Sequence, residues 1–210
     1  MEEDEIEMME NIFDALCSVV SEPEGKTRFL QGEGLELMIL MMKTKKMARI
    51  RAVKVIDHAL LTPQGQPLAH RFIEAMGLKT LFAAFMKKGI KAYKKEYKSF
   101  SEKEEEGMAT TSNVLSEHIM SIIVSLFKHA DTIDSQLRLL AKFLELEKMD
   151  RLMEMHFAYS DRMAGVKATE TGDEDQDYLD RLEAGLFTLQ LVDLVILSCI
   201  ALEHPETVNF

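Results

Sequence analysis

The sequence has few cysteines and no long apolar run, which are the features of disulfide-linked and membrane-spanning proteins. It has only two cysteines in 210 residues. Cys17 and Cys199 lie far apart without CxxC spacing, so we expect two reduced core thiols in an intracellular protein rather than a disulfide framework. The longest apolar run, Leu194 to Leu202, is too short to cross a bilayer. The sequence therefore predicts no membrane interaction.

Catalytic signatures are also missing. The sequence contains no phosphate-binding glycine loop, no nucleophile elbow and no His-Glu-x-x-His pair. None of the six histidines lies four residues from another. His118 and His129 share a predicted helix, but about 16 Å of helical rise would separate them. We predict no catalytic residue, no cofactor and no metal site, and hence a protein that is not an enzyme.

The excess of acidic over basic residues limits the kinds of molecule that the protein can bind. Acidic residues outnumber basic ones by 36 to 25, which gives a formal net charge of −11. Nucleic-acid binding depends on cations that neutralise phosphates, so we expect no direct nucleic-acid binding. Solubility alone is an alternative explanation of the net acidity.

The most informative pattern that is present is an internal repeat. Arg28-Phe29-Leu30 returns 43 positions later as Arg71-Phe72-Ile73, and Gly34-Leu35 returns as Gly77-Leu78. A third, weaker copy begins at Phe143, 71 positions after Phe72. A helical repeat of roughly 40–47 residues is typical of armadillo and HEAT proteins, in which each unit buries its apolar face against its neighbours.

Apolar residues recur at three- and four-residue steps, and no stretch alternates as a strand would. We therefore predict an all-α, armadillo/HEAT-like α-solenoid, a right-handed superhelix of three-helix repeats. The predicted helices cover residues 4–21, 23–30, 35–43, 46–61, 68–76, 78–87, 112–129, 132–145, 147–164 and 178–203. The predicted repeats of this partial armadillo-like domain, residues 1–210, are 4–22 (partial), 23–61, 67–129 with an insertion at 87–111, and 132–203 with an acidic loop at 166–177.

The insertion at 87–111 is open to three interpretations. Six lysines between positions 87 and 98 are interleaved with aromatic residues and followed by an acidic cluster at 102–106. A solvated, mobile loop explains this composition. A nuclear-localisation or acidic-partner patch is the second interpretation, and contact with RNA is the third.

Candidate partner-binding residues lie on the third helix of each repeat. In armadillo solenoids these helices line a concave groove, where polar side chains can hydrogen-bond an extended peptide. A merely solvated helix face is the alternative for each single residue. The candidates are Arg51, Lys54, His58, His118, Ser121, Ser125, Lys128, Gln190 and Asp193.

Several blocks of the sequence resemble one family of nuclear armadillo-type proteins, the catenin-beta-like protein 1 family, which is associated with the spliceosome. The blocks run in family order over nearly the whole chain. They are Asn11 to Cys17, Arg28 to Leu30, Gly32 to Leu35, Ala52 to Ala59, Gly77 to Thr80, Phe85 to Lys87, Asp150 to Phe157, Tyr178 to Leu179, Arg181 to Leu182 and Ala184 to Phe187.

The resemblance implies a nuclear scaffold of the spliceosome-associated nineteen-type complex, acting in pre-mRNA splicing. It also implies a protein partner, the cell-division-cycle-5-like splicing factor. Members of the family are far longer, so we expect this chain to be the later part of the armadillo domain. Residues 90–111 and 158–177 match the family poorly. Open solenoid ends on helices 4–21 and 178–203 would expose apolar faces, through which a homodimer could form.

Two other armadillo functions stay open at this point. An importin-like carrier reads basic peptides with a tryptophan and asparagine ladder, and the absence of tryptophan here weighs against it. A catenin-type adaptor has a strongly basic groove, whereas the candidate residues above are of mixed charge. Either protein would bind peptide segments of another partner.

Overall fold

The computed structural model describes residues 3–43, 48–86, 105–145, 147–166 and 174–203. Within these ranges the chain forms eleven α-helices and no β-strand, which confirms the all-α prediction. The helices are α1 (Glu3–Ser21), α2 (Pro23–Gln31), α3 (Gly34–Lys43), α4 (Ala48–Leu60), α5 (Gln66–Glu74), α6 (Gly77–Phe85), α7 (Glu105–His129), α8 (Ile133–Leu144), α9 (Lys148–Gly165), α10 (Glu174–Ala184) and α11 (Leu186–Glu203). The chain divides into two compact units, residues 1–135 and 136–210, and each is described by itself.

In the first unit the third helices of successive repeats pack side by side. Helix α4 lies between α1 and α7 and is buried on both flanks. Its side chains Val53, Ile56 and Leu60 are fully buried, as are Ile122 and Leu126 of α7. Each such side chain contributes roughly 1.5–3 kcal/mol by leaving water, so this row of helices stabilises the unit.

The 43-residue repeat is visible in the backbone. Helix α2 ends where Gly32 N–H donates to Arg28 O at 2.9 Å, and α5 ends where Ala75 N–H donates to Arg71 O at 2.8 Å. The next residue in each copy, Glu33 or Met76, has a left-handed φ of 54° or 60°. Two non-glycine residues in this sparsely populated region, 43 positions apart, mark the same turn built twice.

The same turn brings an aromatic ring onto a glycine in both copies. A Cβ on Gly34 would lie 2.4 Å from the Phe29 ring, and one on Gly77 would lie 2.7 Å from the Phe72 ring. The Phe and Gly positions that repeat in the sequence are therefore partners in one packing contact. This contact packs the first helix against the second in these two repeats.

The third copy keeps the backbone turn. Glu147, 71 positions after Met76, has a φ of 51° and precedes α9. Phe143 stands where Phe72 stands in the second copy, and it is buried at the end of α8. The weak sequence similarity at Phe143 is thus accompanied by the same local geometry.

The second unit corrects the prediction of one long helix over 178–203. The helix breaks at Gly185, whose φ of +104° is open to glycine but strained for other residues. A Cβ there would also lie 2.6 Å from the ring of Tyr159. The result is two helices, α10 and α11, which both contact α9.

Two predicted loops are shorter than expected. Residues 174–177 of the acidic loop belong to α10, because Glu174, Asp175 and Asp177 lie in its first turn, where the helix dipole favours negative charge. Residues 105–111 of the predicted insertion belong to α7. The remainder of these loops, residues 87–104 and 167–173, lies outside the described residues.

Apolar side chains remain exposed on α1 and α11. On α1 they are Met8, Ile12 and Val19, and on α11 they include Leu194 and Leu197. Pairing of two copies through these faces stays a prediction.

No single described helix has both the length and the apolar character needed to cross a membrane. One pair, Glu174–Ala184 with Leu186–Leu202, meets those criteria only when taken together, and it is bent by 63°.

Candidate partner-binding face

The polar edge of α4 forms a row of ion pairs with α1. Arg51 is paired with Glu10, and Lys54 Nζ donates to Asp14 Oδ1 at 2.8 Å. The hydrogen bond to Lys54 holds the pKa of Asp14 below its ordinary value, and the same bond raises the pKa of Lys54. Lys54 is 39% exposed and Asp14 62%, so this pair contributes only about 0–1 kcal/mol to stability. Both charges remain available to a partner.

His58 continues the row toward the end of α4. Its Nδ1 lies 3.2 Å from Ser21 Oγ of α1, and burial lowers its pKa. The structure thus brings three candidates, Arg51, Lys54 and His58, onto one seam between α1 and α4. Their spacing of three and four residues on α4 places them along the same helix edge.

On its other flank α4 is joined to α7 by a histidine–carboxylate pair. His118 Nδ1 donates to Asp57 Oδ2 at 2.8 Å, and Asp57 is buried. Among the described residues Asp57 Oδ1 has no hydrogen-bond partner. His118 is therefore directed into the seam between the helices, which leaves it less exposed than Lys54.

The carboxyl end of α4 is capped from two directions. Lys26 Nζ donates to His58 O at 2.7 Å and to Ala59 O at 2.9 Å, and His129 Nε2 donates to Leu60 O at 2.9 Å. The last carbonyls of a helix lack intrahelical partners and carry partial negative charge, so cations stabilise this end. Lys26 is only 2% exposed, and this burial lowers its pKa. The cap ties α2 and α7 to the end of α4 and fixes the row of third helices.

The remaining candidates of α7 differ in accessibility. Ser121 and Ser125 are each 7% exposed, because α7 packs against α4, α5 and α6. Lys128 is exposed near the end of the helix. Of these three residues, Lys128 is the most accessible to a partner.

Gln190 and Asp193 lie on α11, in the second unit. Gln190 is exposed, and Asp193 Oδ1 accepts a hydrogen bond from His156 Nδ1 at 2.7 Å. This pair joins α9 to α11. The two residues are thus candidates of a separate unit from those on α4 and α7.

The described residues contain no group of three or more His, Cys, Asp or Glu side chains that could hold a metal ion. Burial raises the pKa of the Cys17 thiol to about 11, which leaves it protonated and unreactive at neutral pH. Arg51, Lys54 and His118 of the α1–α4–α7 row are engaged in ion pairs and hydrogen bonds.

Sequence reasoning missed the residues that hold this face together. Glu10 and Asp14 carried a usable signal, because their spacing of four on α1 matches the spacing of three between the α4 cations. Asp57 also gave a signal, since it stands among the apolar residues of α4. Nothing in the local sequence indicated that His129 would cap a helix 69 positions earlier in the chain.

Three-helix repeats with a common turn, and third helices packed in a row, define an armadillo-type helical-repeat protein. The family model described as catenin-beta-like, Arm-motif containing nuclear, matches residues 1–209. The chain belongs to this catenin-beta-like family.

Curated relatives agree with that assignment. Beta-catenin-like protein 1 of Mus musculus is 42% identical and that of Homo sapiens 41% identical, each over 97% of this chain and 37% of the relative. The homolog of Schizosaccharomyces pombe is 37% identical over 98% of this chain and 34% of its own length. The chain therefore spans little more than a third of the relatives it matches.

Proposed function

We propose that the protein is a non-catalytic interaction scaffold that acts in pre-mRNA splicing as a component of the spliceosome-associated nineteen-type complex. The observation that carries this proposal is the match of residues 1–209 to an Arm-motif family described as nuclear. Armadillo-type families present surfaces to other proteins, which agrees with the hydrogen-bonding and charged groups of this site. The resemblance noted in the sequence nominates the cell-division-cycle-5-like splicing factor as partner.

The row formed by α1, α4 and α7 is the proposed docking surface. Packed helices lie about 8–10 Å apart. Successive residues of an extended peptide advance about 3.3 Å, so a peptide crossing the row would meet a new helix about every third residue. Lys54 and Lys128 would then contact the peptide from neighbouring helices, with Arg51 beside Lys54. The exposed pair Lys54–Asp14 is weak enough to exchange for contacts with the peptide.

The test is the affinity of the purified chain for the purified cell-division-cycle-5-like factor, measured by calorimetry. The variant Lys54→Glu with Lys128→Glu should weaken binding at least about tenfold, since it reverses two charges at the surface. Circular dichroism should show unchanged helix content, because both side chains are on the surface.

A charge swap separates binding from stability. Asp14→Lys with Lys54→Glu restores an ion pair between α1 and α4 in reversed order. If Lys54 contacts the partner, the swap should still bind weakly while recovering the thermal midpoint of the wild-type chain. Full binding by the swap, or no binding by the wild-type chain, would refute the docking surface.

A further inference from the structure

A basic cavity lies on a different part of the first unit. It has a volume of about 520 Å³ and is bounded by the end of α3, the start of α4 and the exposed side of α6. This is within the range of about 300–1,000 Å³ that binding pockets occupy. Arg49 lies at the start of α4, but the lining includes none of the row's candidates Arg51, Lys54, His58 and Lys128.

The lining combines three cations with an apolar wall. Lys43, Arg49 and Lys79 supply the positive charge, and the described lining includes no acidic residue. Lys43 is the last residue of α3 and Lys79 lies in the first turn of α6, and both are exposed. Arg49 Nη2 donates to the carbonyl of Lys43 at 3.4 Å. The chain as a whole has a net charge of −11, whereas this cluster of side chains is positively charged.

The apolar wall decides the kind of ligand. Met76 is 67% exposed, and Ala83 and Ala84 of α6 add small side chains that leave the cavity open. An exposed methionine adapts to differently shaped apolar groups. A phosphate backbone would use the cations but would leave this wall in water, whereas a peptide that carries both carboxylates and apolar side chains would satisfy both.

We propose that this cavity binds an acidic amphipathic helix of a protein partner. Its carboxylates would pair with Lys43, Arg49 and Lys79, and its apolar residues would cover Met76 and Ala83. The site goes beyond the proposed scaffold function and uses different residues, so the failure of one leaves the other untouched.

The probe is a fluorescein-labelled peptide of about 18 residues with leucine at helical spacing and glutamate elsewhere, since shorter isolated helices are marginal in water. Fluorescence anisotropy with the whole chain should show saturable binding that weakens with salt, as exposed charge pairs do. Lys79→Glu should weaken binding about tenfold, and Ala83→Tyr should weaken it by filling the cavity without a change of charge.

Arg181→Glu is the matched control, because it reverses an exposed cation on α10, which belongs neither to the cavity nor to the proposed docking surface, with the same change in net charge. It should alter the affinity less than about twofold. Equal weakening by Lys79→Glu and Arg181→Glu would overturn the proposal, as would equal binding of a scrambled peptide of the same composition. Stronger binding of a single-stranded oligonucleotide would assign the cavity to nucleic acid instead, and no binding of the helical peptide would also refute it.

Discussion

The first two repeats and the third reach the same turn with different side chains. Glu33, Met76 and Glu147 have φ values of 54°, 60° and 51°, so the backbone reverses in the same way three times. A glycine follows in the first two copies, Gly34 and Gly77, and the ring of a phenylalanine lies against it. In the third copy the following residue is Lys148, whose side chain excludes that contact.

Charge replaces the ring–glycine contact in the third turn. Glu145 accepts hydrogen bonds from Lys142 and Lys148, each at 2.6 Å. These bonds lower the pKa of Glu145 to about 2. The comparison teaches that the left-handed turn is the common element of the repeat, while the interaction that fixes the turn can be apolar or ionic.

The largest loss of stability is expected at the ring–glycine contact of the second copy, where the phenylalanine ring is most enclosed. Gly77→Ala places a methyl group 2.7 Å from the ring of Phe72, which is fully buried and has no room to move. Overpacking of this kind costs about 1–3 kcal/mol. Urea unfolding of the wild-type and variant chains measures the difference in free energy of unfolding.

Gly34→Ala is the matched comparison in the first copy. Its methyl group would lie even closer to a ring, 2.4 Å from Phe29, but that ring is partly exposed and can turn aside. The loss should stay below about 1 kcal/mol, since alanine also reduces the entropy of the unfolded chain by a comparable amount. A loss as large as that of Gly77→Ala would show that enclosure of the ring does not control the cost.

A smaller change in stability is expected when the left-handed residue of the turn is replaced by glycine. A left-handed conformation costs an L-residue about 1–2 kcal/mol. Glu33→Gly and Glu147→Gly remove that strain, and the greater freedom of glycine in the unfolded chain offsets about 0.5–1 kcal/mol. Each variant should therefore be neutral to stabilising by about 1 kcal/mol in thermal unfolding.

Ala75→Gly is the control for this pair of variants. Ala75 precedes the turn residue Met76 and has a φ of −73°, so glycine relieves nothing there. It should destabilise the chain by about 0.5–1 kcal/mol. Destabilisation of the same size by Glu33→Gly would argue against strain at the left-handed position.

The repeat was predictable because the residues that pack against each other recur in the sequence. Phe29 and Gly34 recur with a fixed spacing as Phe72 and Gly77, and the structure pairs them in space. The break at Gly185 was missed, because a glycine among apolar residues of helical spacing gives no local sign of a positive φ. Only the nearby ring of Tyr159 and the packing of α10 and α11 against α9 make the break necessary.

The candidate face was predictable in part for a similar reason. Helical spacing placed Arg51, Lys54 and His58 on one edge, and they do share the seam with α1. The carboxylate partners of Arg51 and Lys54 lie about 40 residues away in sequence, and pairing at that distance depends on the packing of helices rather than on local pattern. The buried state of Ser121 likewise follows from the helices that surround α7.

The smallest change in stability is expected at the third turn, where Glu145 forms ion pairs. The pKa of Glu145 is lowered from 4.5 to about 2 in the folded chain. A lowered carboxyl pKa adds stability that is present above the unfolded value and is lost as the pH falls from about 4.5 toward about 2. Glu145→Gln should therefore be less stable than the wild-type chain at neutral pH, and this gap should close over that acidic window. Denaturation with urea at several pH values measures the gap.

Glu183→Gln supplies the control, since it removes one exposed carboxylate from α10 with the same change of charge. Any part of the pH dependence that this variant reproduces belongs to the net charge of the chain rather than to Lys142 and Lys148. High salt should also narrow the gap for Glu145→Gln, because the three charges are near the surface. A gap that is independent of both pH and salt would mean that the third turn is held by the burial of Phe143 and not by its ion pairs.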